Sequence, residues 1–209
     1  MRIQQLEVFN YDELSKTAQA KVRDWYRINA VEYGWWDITY ADFLGVCRQL
    51  GIEVATKLVA LKNGGARQEP CIYFSGFWSQ GDGASFAGRY THKPGSVEAV
   101  RKLYPEDTVL HVIAQELFLL QSRCKLRLEA GITTSGRYSH SGTMQIESNA
   151  RPNMEKRLLD TFRTLADWLY RRLEQEYDYR TSDAVIAETL LSMDYEFYSD
   201  GELVRDDKA

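Results

Sequence analysis

The chain has 209 residues, 44% of them hydrophobic and 27% charged, enough to bury a core without a disulfide or metal staple. Twenty-six basic against thirty acidic residues leave a net charge of -4. That is too mild for a dedicated nucleic-acid binder, so direct nucleic-acid binding is not expected. With 14 glycines and 4 prolines, disorder and collagen-like repeats are excluded as well.

Residues 2–9 alternate weakly through Ile3, Leu6 and Val8 and predict a strand. Asn10 and Glu13 fit a capping box, and Ser15 is a second possible N-cap, so a helix is expected to start between 11 and 16. Leu14, Ala18, Val22, Trp25 and Tyr26 share one face of it. A second helix is predicted over 36–50, with Trp36, Tyr40, Phe43, Leu44 and Cys47 as its stripe and Gly51 as its left-handed C-terminal residue. The Trp35-Trp36 pair reads as core at the junction of the two helices, or as a docking anchor if exposed. A strand follows over 52–61, and Asn63-Gly64-Gly65 breaks the chain.

The middle of the chain predicts a sheet. Cys71–Trp78 and Ala84–Thr91 read as strands joined by the hairpin signal Gln80-Gly81-Asp82-Gly83. Pro105, Glu106 and Asp107 open a helix whose buried face is predicted as Val109, Val112, Ile113, Leu117 and Leu120. Leu126, Leu128, Ala130 and Ile132 alternate with charged residues as a half-buried strand, and Met144–Glu147 is its expected partner. Pro152 opens a long helix to about 177, and Thr181 or Ser182 caps a shorter one ending near Ser192. Residues 193–205 predict a small hairpin around Asp200-Gly201. The expected fold class is α+β, an antiparallel sheet of hairpins packed with about five helices, in a single domain spanning 1–209.

Two segments place polar and glycine residues where packing alone does not favour them. The first, 75–86, contains Trp78, Ser79, Gln80, Asp82 and Ser85 around glycines that mark a bulge or a close approach. The second, 133–143, offers Ser135, Arg137, Tyr138, His140 and Ser141 within ten residues. An arginine binds phosphate or carboxylate through a planar fork, and a tryptophan gives a stacking face. If the two turns meet, Trp78, Ser79, Gln80, Asp82, Ser135, Arg137, Tyr138 and His140 form one recognition surface for a partner or ligand. The bland alternative is two polar turns with Phe77 and Trp78 as packing. No phosphate-binding glycine fingerprint and no nucleophile elbow accompany them. His140 with a neighbouring serine and Asp82 holds the types a hydrolase needs, without a spacing that selects them.

His92, His111 and His140 are isolated, so neither a metal nor another cofactor is expected, and His111 reads as a structural histidine. Cys47, Cys71 and Cys124 share no metal or redox spacing and read as reduced thiols. No signal peptide is evident after Met1, and no window approaches the roughly 18–20 apolar residues of a membrane span. The expected location is the cytoplasm, with no membrane partner.

Tyr11-Asp12-Glu13-Leu14-Ser15, the central Ile72–Gly83 segment, the Ser135–Gly142 turn and the closing Asp194-Tyr195-Glu196-Phe197 with Asp200-Gly201 recur in one order. In these the chain resembles a family of small bacteriophage and prophage proteins, some labelled as the antitoxin of a toxin–antitoxin stability system. The resemblance implies a phage-encoded accessory protein acting in the bacterial cytoplasm. It supports a non-catalytic binding protein that neutralises a host or competing protein, whether host- or phage-encoded, as an antitoxin or counter-defence inhibitor does. The alternatives are sequestration of a nucleotide-like anionic ligand and, further off, hydrolysis using His140.

Overall fold

A computed structural model describes residues 7–31, 34–62, 64–193 and 195–204. The fold is α+β, and among the described residues every strand pairing is antiparallel. The chain divides into two compact units, one of residues 37–174 and one joining 1–36 to 175–209.

The 37–174 unit opens with the helix Asp37–Leu50 (α2), which buries Phe43, Val46, Cys47 and Leu50. Gly51 ends it in the left-handed conformation at φ 83°, as its position predicts. Three strand runs follow and meet at one point. Ala55 N–H donates to Ala87 O at 2.9 Å, Ala87 N–H to Cys71 O at 2.9 Å, and Cys71 N–H to Ala55 O at 2.7 Å. At this closed ring each run changes partner, so three runs become six short strands, and the one over 66–70 lies outside every predicted strand. Ile52–Val54 (β1) pairs with Gly88–Tyr90 (β6), Thr56–Ala60 (β2) with Ala66–Pro70 (β3), and Ile72–Phe74 (β4) with Ala84–Phe86 (β5). The residues at the ring are small, which lets three backbones approach. Gly88 serves the same end, because a Cβ there would lie 2.9 Å from Val54 Cα.

Ala130–Thr134 (β7) and Met144–Ser148 (β8) complete a four-stranded sheet in the order β1-β6-β7-β8. Phe86 and Tyr90 set their rings against Phe162 of the long helix Pro152–Arg180 (α5), at 6.5 and 5.4 Å, and Phe86 also meets Phe43 at 5.3 Å. Ser96–Leu103 (α3) and Thr108–Arg123 (α4) pack beside each other. Asp107 joins α4 to α5: one oxygen caps α4 by accepting Leu110 N–H at 3.0 Å, and the other accepts the indole N–H of buried Trp168 at 2.7 Å. Asp107→Ala is expected to cost about 1–3 kcal/mol in urea unfolding, because it removes a cap and strands a buried donor. Asp107→Asn keeps an acceptor and is expected to lose less.

In the other unit, Lys16–Asn29 (α1) starts at Ser15, whose hydroxyl accepts Ala18 N–H at 3.2 Å. The Asn10 N–H donates to Glu13 at 2.8 Å, closing a separate single turn over Tyr11–Glu13. Ser182 caps Asp183–Ser192 (α6). Tyr11, Leu14, Ala18, Val22, Ile186, Leu190 and Phe197 form one core. Arg27 and Arg23 both reach Asp183; the Arg27 hydrogen bond first, then the Arg23 charge, hold this carboxyl below its usual range. Trp35 is buried, 5.4 Å from the Tyr177 ring and 5.6 Å from Trp36. At the C-terminal end, Phe197 bridges Phe9 and Leu203, and Gly201 N–H closes a turn onto Tyr198 O.

Several expectations need correction. Most of the predicted 2–9 strand lies outside the described residues, and Phe9 makes a single bridge. The expected strand from Leu126 starts only at Ala130. Lys125 and Leu126 sit at φ 53° and 60°, and the backbone of Leu128 bonds to the buried Gln121 amide at both ends, at 2.8 and 3.1 Å. Val112, expected inside, is 67% exposed, and α4 buries Leu110, Ala114 and Gln121 instead. Helix α3 carries no strong start signal and was not expected; its N-cap is Gly95, which offers no side-chain acceptor. Pro105 precedes α4 rather than opening it, and α5 runs to Arg180.

Candidate functional site

The first turn is longer than a hairpin signal implies, because β4 stops at Phe74 and β5 resumes at Ala84. Trp78 therefore lies in a loop, not on a strand. It sits at φ 67°, a left-handed conformation that costs a side-chain-bearing residue roughly 1–2 kcal/mol. The loop is pinned by Phe77, whose ring lies 5.0 Å from Phe74 and 5.5 Å from Tyr170 of α5. The next residue, Trp78, is turned outward and is 75% exposed.

Asp82 closes the loop on itself. Its carboxylate accepts Ser79 N–H at 2.8 Å, and its own N–H donates to Ser79 O at 3.1 Å. Ser79 and Asp82 thus shape the turn; the exposed Gln80 lies between them. Burial first, then the Glu174 and Asp82 charges, raise the Tyr170 phenol above its ordinary pKa, while a hydrogen bond from the Trp78 backbone opposes them. Ser85 is wholly buried in β5.

The second turn is held from inside. Ser135 N–H donates to Thr143 O at 3.0 Å. The residues Ser141–Thr143 form one tight helical turn, in which His140 Nδ1 accepts Gly142 N–H at 3.1 Å and His140 O accepts the Thr143 hydroxyl at 2.8 Å. With Nδ1 an acceptor, the neutral imidazole carries its proton on Nε2. A carboxylate cannot then orient it through Nδ1–H, as hydrolytic triads require. Arg163 of α5 ties the turn down by donating to Met144 O at 3.2 Å and Gly142 O at 3.4 Å. Ser135, Arg137 and Tyr138 face solvent, and Tyr138 stacks on His140 at 6.1 Å and 27°.

The two turns meet. A Cβ on Gly83 would come within 2.6 Å of His140 Cβ and 2.7 Å of its Cα, and a Cβ on Gly81 would drive into the Tyr138 ring. Both glycines are required for contact, and Gly81 also holds φ 88°. The join therefore consists of Gly81 against Tyr138 and Gly83 against His140. Tyr138 and His140 thus meet the same loop that displays Trp78 and Gln80 to solvent. Phe77 takes the packing role the sequence offered it, while Tyr170 and Arg163, which also position the turns, were not foreseen. Tyr170 and Arg163 lie on a distant helix, where their spacing reads as an ordinary surface.

A separate cavity of about 530 Å³ lies along α4 and α5. Several of its polar groups are already engaged: His111 Nε2 with Tyr104 O at 2.8 Å, Arg157 with Glu116 at 3.0 Å, and the Thr161 and Thr164 hydroxyls with carbonyls one turn back. His111 is thus the structural histidine its position suggested. Among the described residues no three His, Cys, Asp or Glu side chains gather as a metal site. The three cysteines are unbridged, with Cys47 and Cys71 buried. No helix among the described residues is long and apolar enough to cross a membrane.

Residues 35–183 match a family described as a domain of unknown function, DUF8835. The chain belongs to this family. The DUF8835 segment contains the whole 37–174 unit, and with it both turns and the α5 residues that brace them. No curated protein and no solved structure matches the chain.

Proposed function

We propose that this protein is a non-catalytic binding protein that grips another protein through its two joined turns. In this reading it is a phage- or prophage-encoded factor that neutralises a host or competing protein in the bacterial cytoplasm, in the manner of an antitoxin or counter-defence inhibitor. The observation that carries the binding role is Trp78: a large aromatic side chain, three-quarters exposed, held outward by a backbone conformation it does not favour. Such strain persists where the surrounding structure over-determines it, and it clusters at recognition and switch sites. Exposed tryptophan and tyrosine beside arginine is also the composition of interface hot spots. The phage role rests on the recurring motifs set out above.

Photo-crosslinking tests this. A photoreactive amino acid in place of Trp78 is expected to capture one discrete partner in the bacterial host. The same group in place of Val112, also exposed but on α4, is expected to capture none. Capture of the same species from both positions, or of nothing from Trp78, overturns the proposal.

A second reading is favoured by Arg137, which is exposed. With Trp78 as a stacking face, it would suit a nucleotide-like anion. Native mass spectrometry of freshly purified protein separates the two readings, since a small bound mass supports this one and a bound chain the first.

A further inference from the structure

The β2–β3 ribbon stands apart from the rest of the 37–174 unit as a two-stranded sheet of its own. Thr56, Lys57, Leu58 and Ala60 are exposed, Leu58 by 73%, as are Ala66, Arg67 and Gln68. A lone two-stranded ribbon is marginal in water and offers two open edges. We infer that the β2 edge pairs with the β2 edge of a second copy of this chain, forming a four-stranded intermolecular sheet about a two-fold axis at Leu58.

The hydrogen-bond phase selects this edge. Leu61 N–H donates to Gly65 O, and Cys71 N–H to Ala55 O, both at 2.7 Å, so odd-numbered residues of β2 turn their backbone groups toward β3. Thr56, Leu58 and Ala60 therefore point theirs outward, and each has an N–H to give. On the opposite edge the outward residues are Ala66, Gln68 and Pro70, and Pro70 has none. A proline there blunts that edge, and nothing comparable blunts the other. The one charge on β2 is also drawn away, since the Lys57 ammonium lies 5.2 Å over the Tyr73 ring.

The sequence of β2 is self-complementary in the required register. Antiparallel pairing centred on Leu58 sets Leu58 beside its own copy, Thr56 opposite Ala60, and Lys57 opposite Val59. No like charges face each other, and the most exposed apolar side chain of the ribbon is covered. Five residues a side make a small interface, well below the roughly 20–30 a side of a standard specific one. The dimer is accordingly weak and concentration-dependent.

Sedimentation velocity of the full chain across a dilution series tests this. The mass is expected to rise from 24.2 kDa toward twice that value as concentration increases. Leu58→Lys sets two charges together at the axis and is expected to weaken dimerisation by about tenfold or more. Ala60→Pro, which deletes an outward N–H as Pro70 does on the other edge, is expected to act in the same direction. Gln68→Lys is the control and is expected to leave the equilibrium unchanged. Far-UV circular dichroism checks that each variant keeps its fold. A chain monomeric at every concentration, a dimer indifferent to both β2 variants, or one disrupted by Gln68→Lys overturns the inference.

Discussion

Trp78→Gly is expected to leave the protein at least as stable as the wild type while weakening capture of its partner by about thirtyfold. The two halves of this prediction have separate causes. Glycine adopts the left-handed conformation without the roughly 1–2 kcal/mol that a Cβ costs there. It also loses more chain entropy on folding, by about 0.5–1 kcal/mol. The net lies between no change and a gain of about 1.5 kcal/mol, and a side chain 75% exposed gives up little buried surface. A tryptophan at the centre of an interface, by contrast, is commonly worth about 2 kcal/mol or more. Chemical denaturation gives the first quantity, and titration with the partner captured through position 78 gives the second. A stability loss above about 1 kcal/mol with binding intact would make Trp78 a packing residue and remove the proposed surface.

Phe162→Ala is expected to have the largest effect on stability, about 3–5 kcal/mol. Phe162 is wholly buried, and its ring meets both Phe86 and Tyr90, so it is the point where α5 bears on the central strands. A cavity there removes contacts on two sides at once. Against the roughly 5–15 kcal/mol that holds typical domains together, such a loss brings the fold near its limit. Phe162→Leu keeps most of the volume and is expected to cost under about 1.5 kcal/mol. Urea midpoints of the two variants check the pair, and equal losses would mean that ring shape, not filled volume, governs this part of the core.

Much of this fold was legible because its signals are local. Ser15 and Ser182 cap helices where an acceptor is needed three residues before an amide, and Gly51 stops one where only a left-handed residue fits. The alternation through Ala130 and Ile132 marked a half-buried strand correctly at that end. Four residues earlier the same alternation misled. Leu128 finds its backbone partners in the side chain of Gln121, and an amide side chain can replace a neighbouring strand without altering the hydrophobic pattern. Val112 failed for a related reason: an apolar residue on the edge of a helical stripe is buried only if a neighbouring element reaches it.

The candidate site divides in the same way. Glycines at 76, 81 and 83, within a segment otherwise rich in strand formers, marked a place where the chain had to bend or admit a close neighbour. Their sequence could not say which neighbour, since Tyr138 and His140 lie more than fifty positions away and contact depends on how two strands are registered in space. Asp82, expected in the recognition surface, also closes its own loop, because a carboxylate three residues from an amide readily bonds to it.

What the sequence determined by itself was therefore the class of fold, the ends of most helices and the glycines at which the chain bends. Each follows from interactions spanning a few residues. The tertiary structure alone decided that three strand runs exchange partners at Ala55, Cys71 and Ala87, that Trp78 leaves the sheet, and that the two turns touch. Those outcomes rest on backbone groups remote in the chain competing for the same space and the same hydrogen bonds, a competition that no local pattern records.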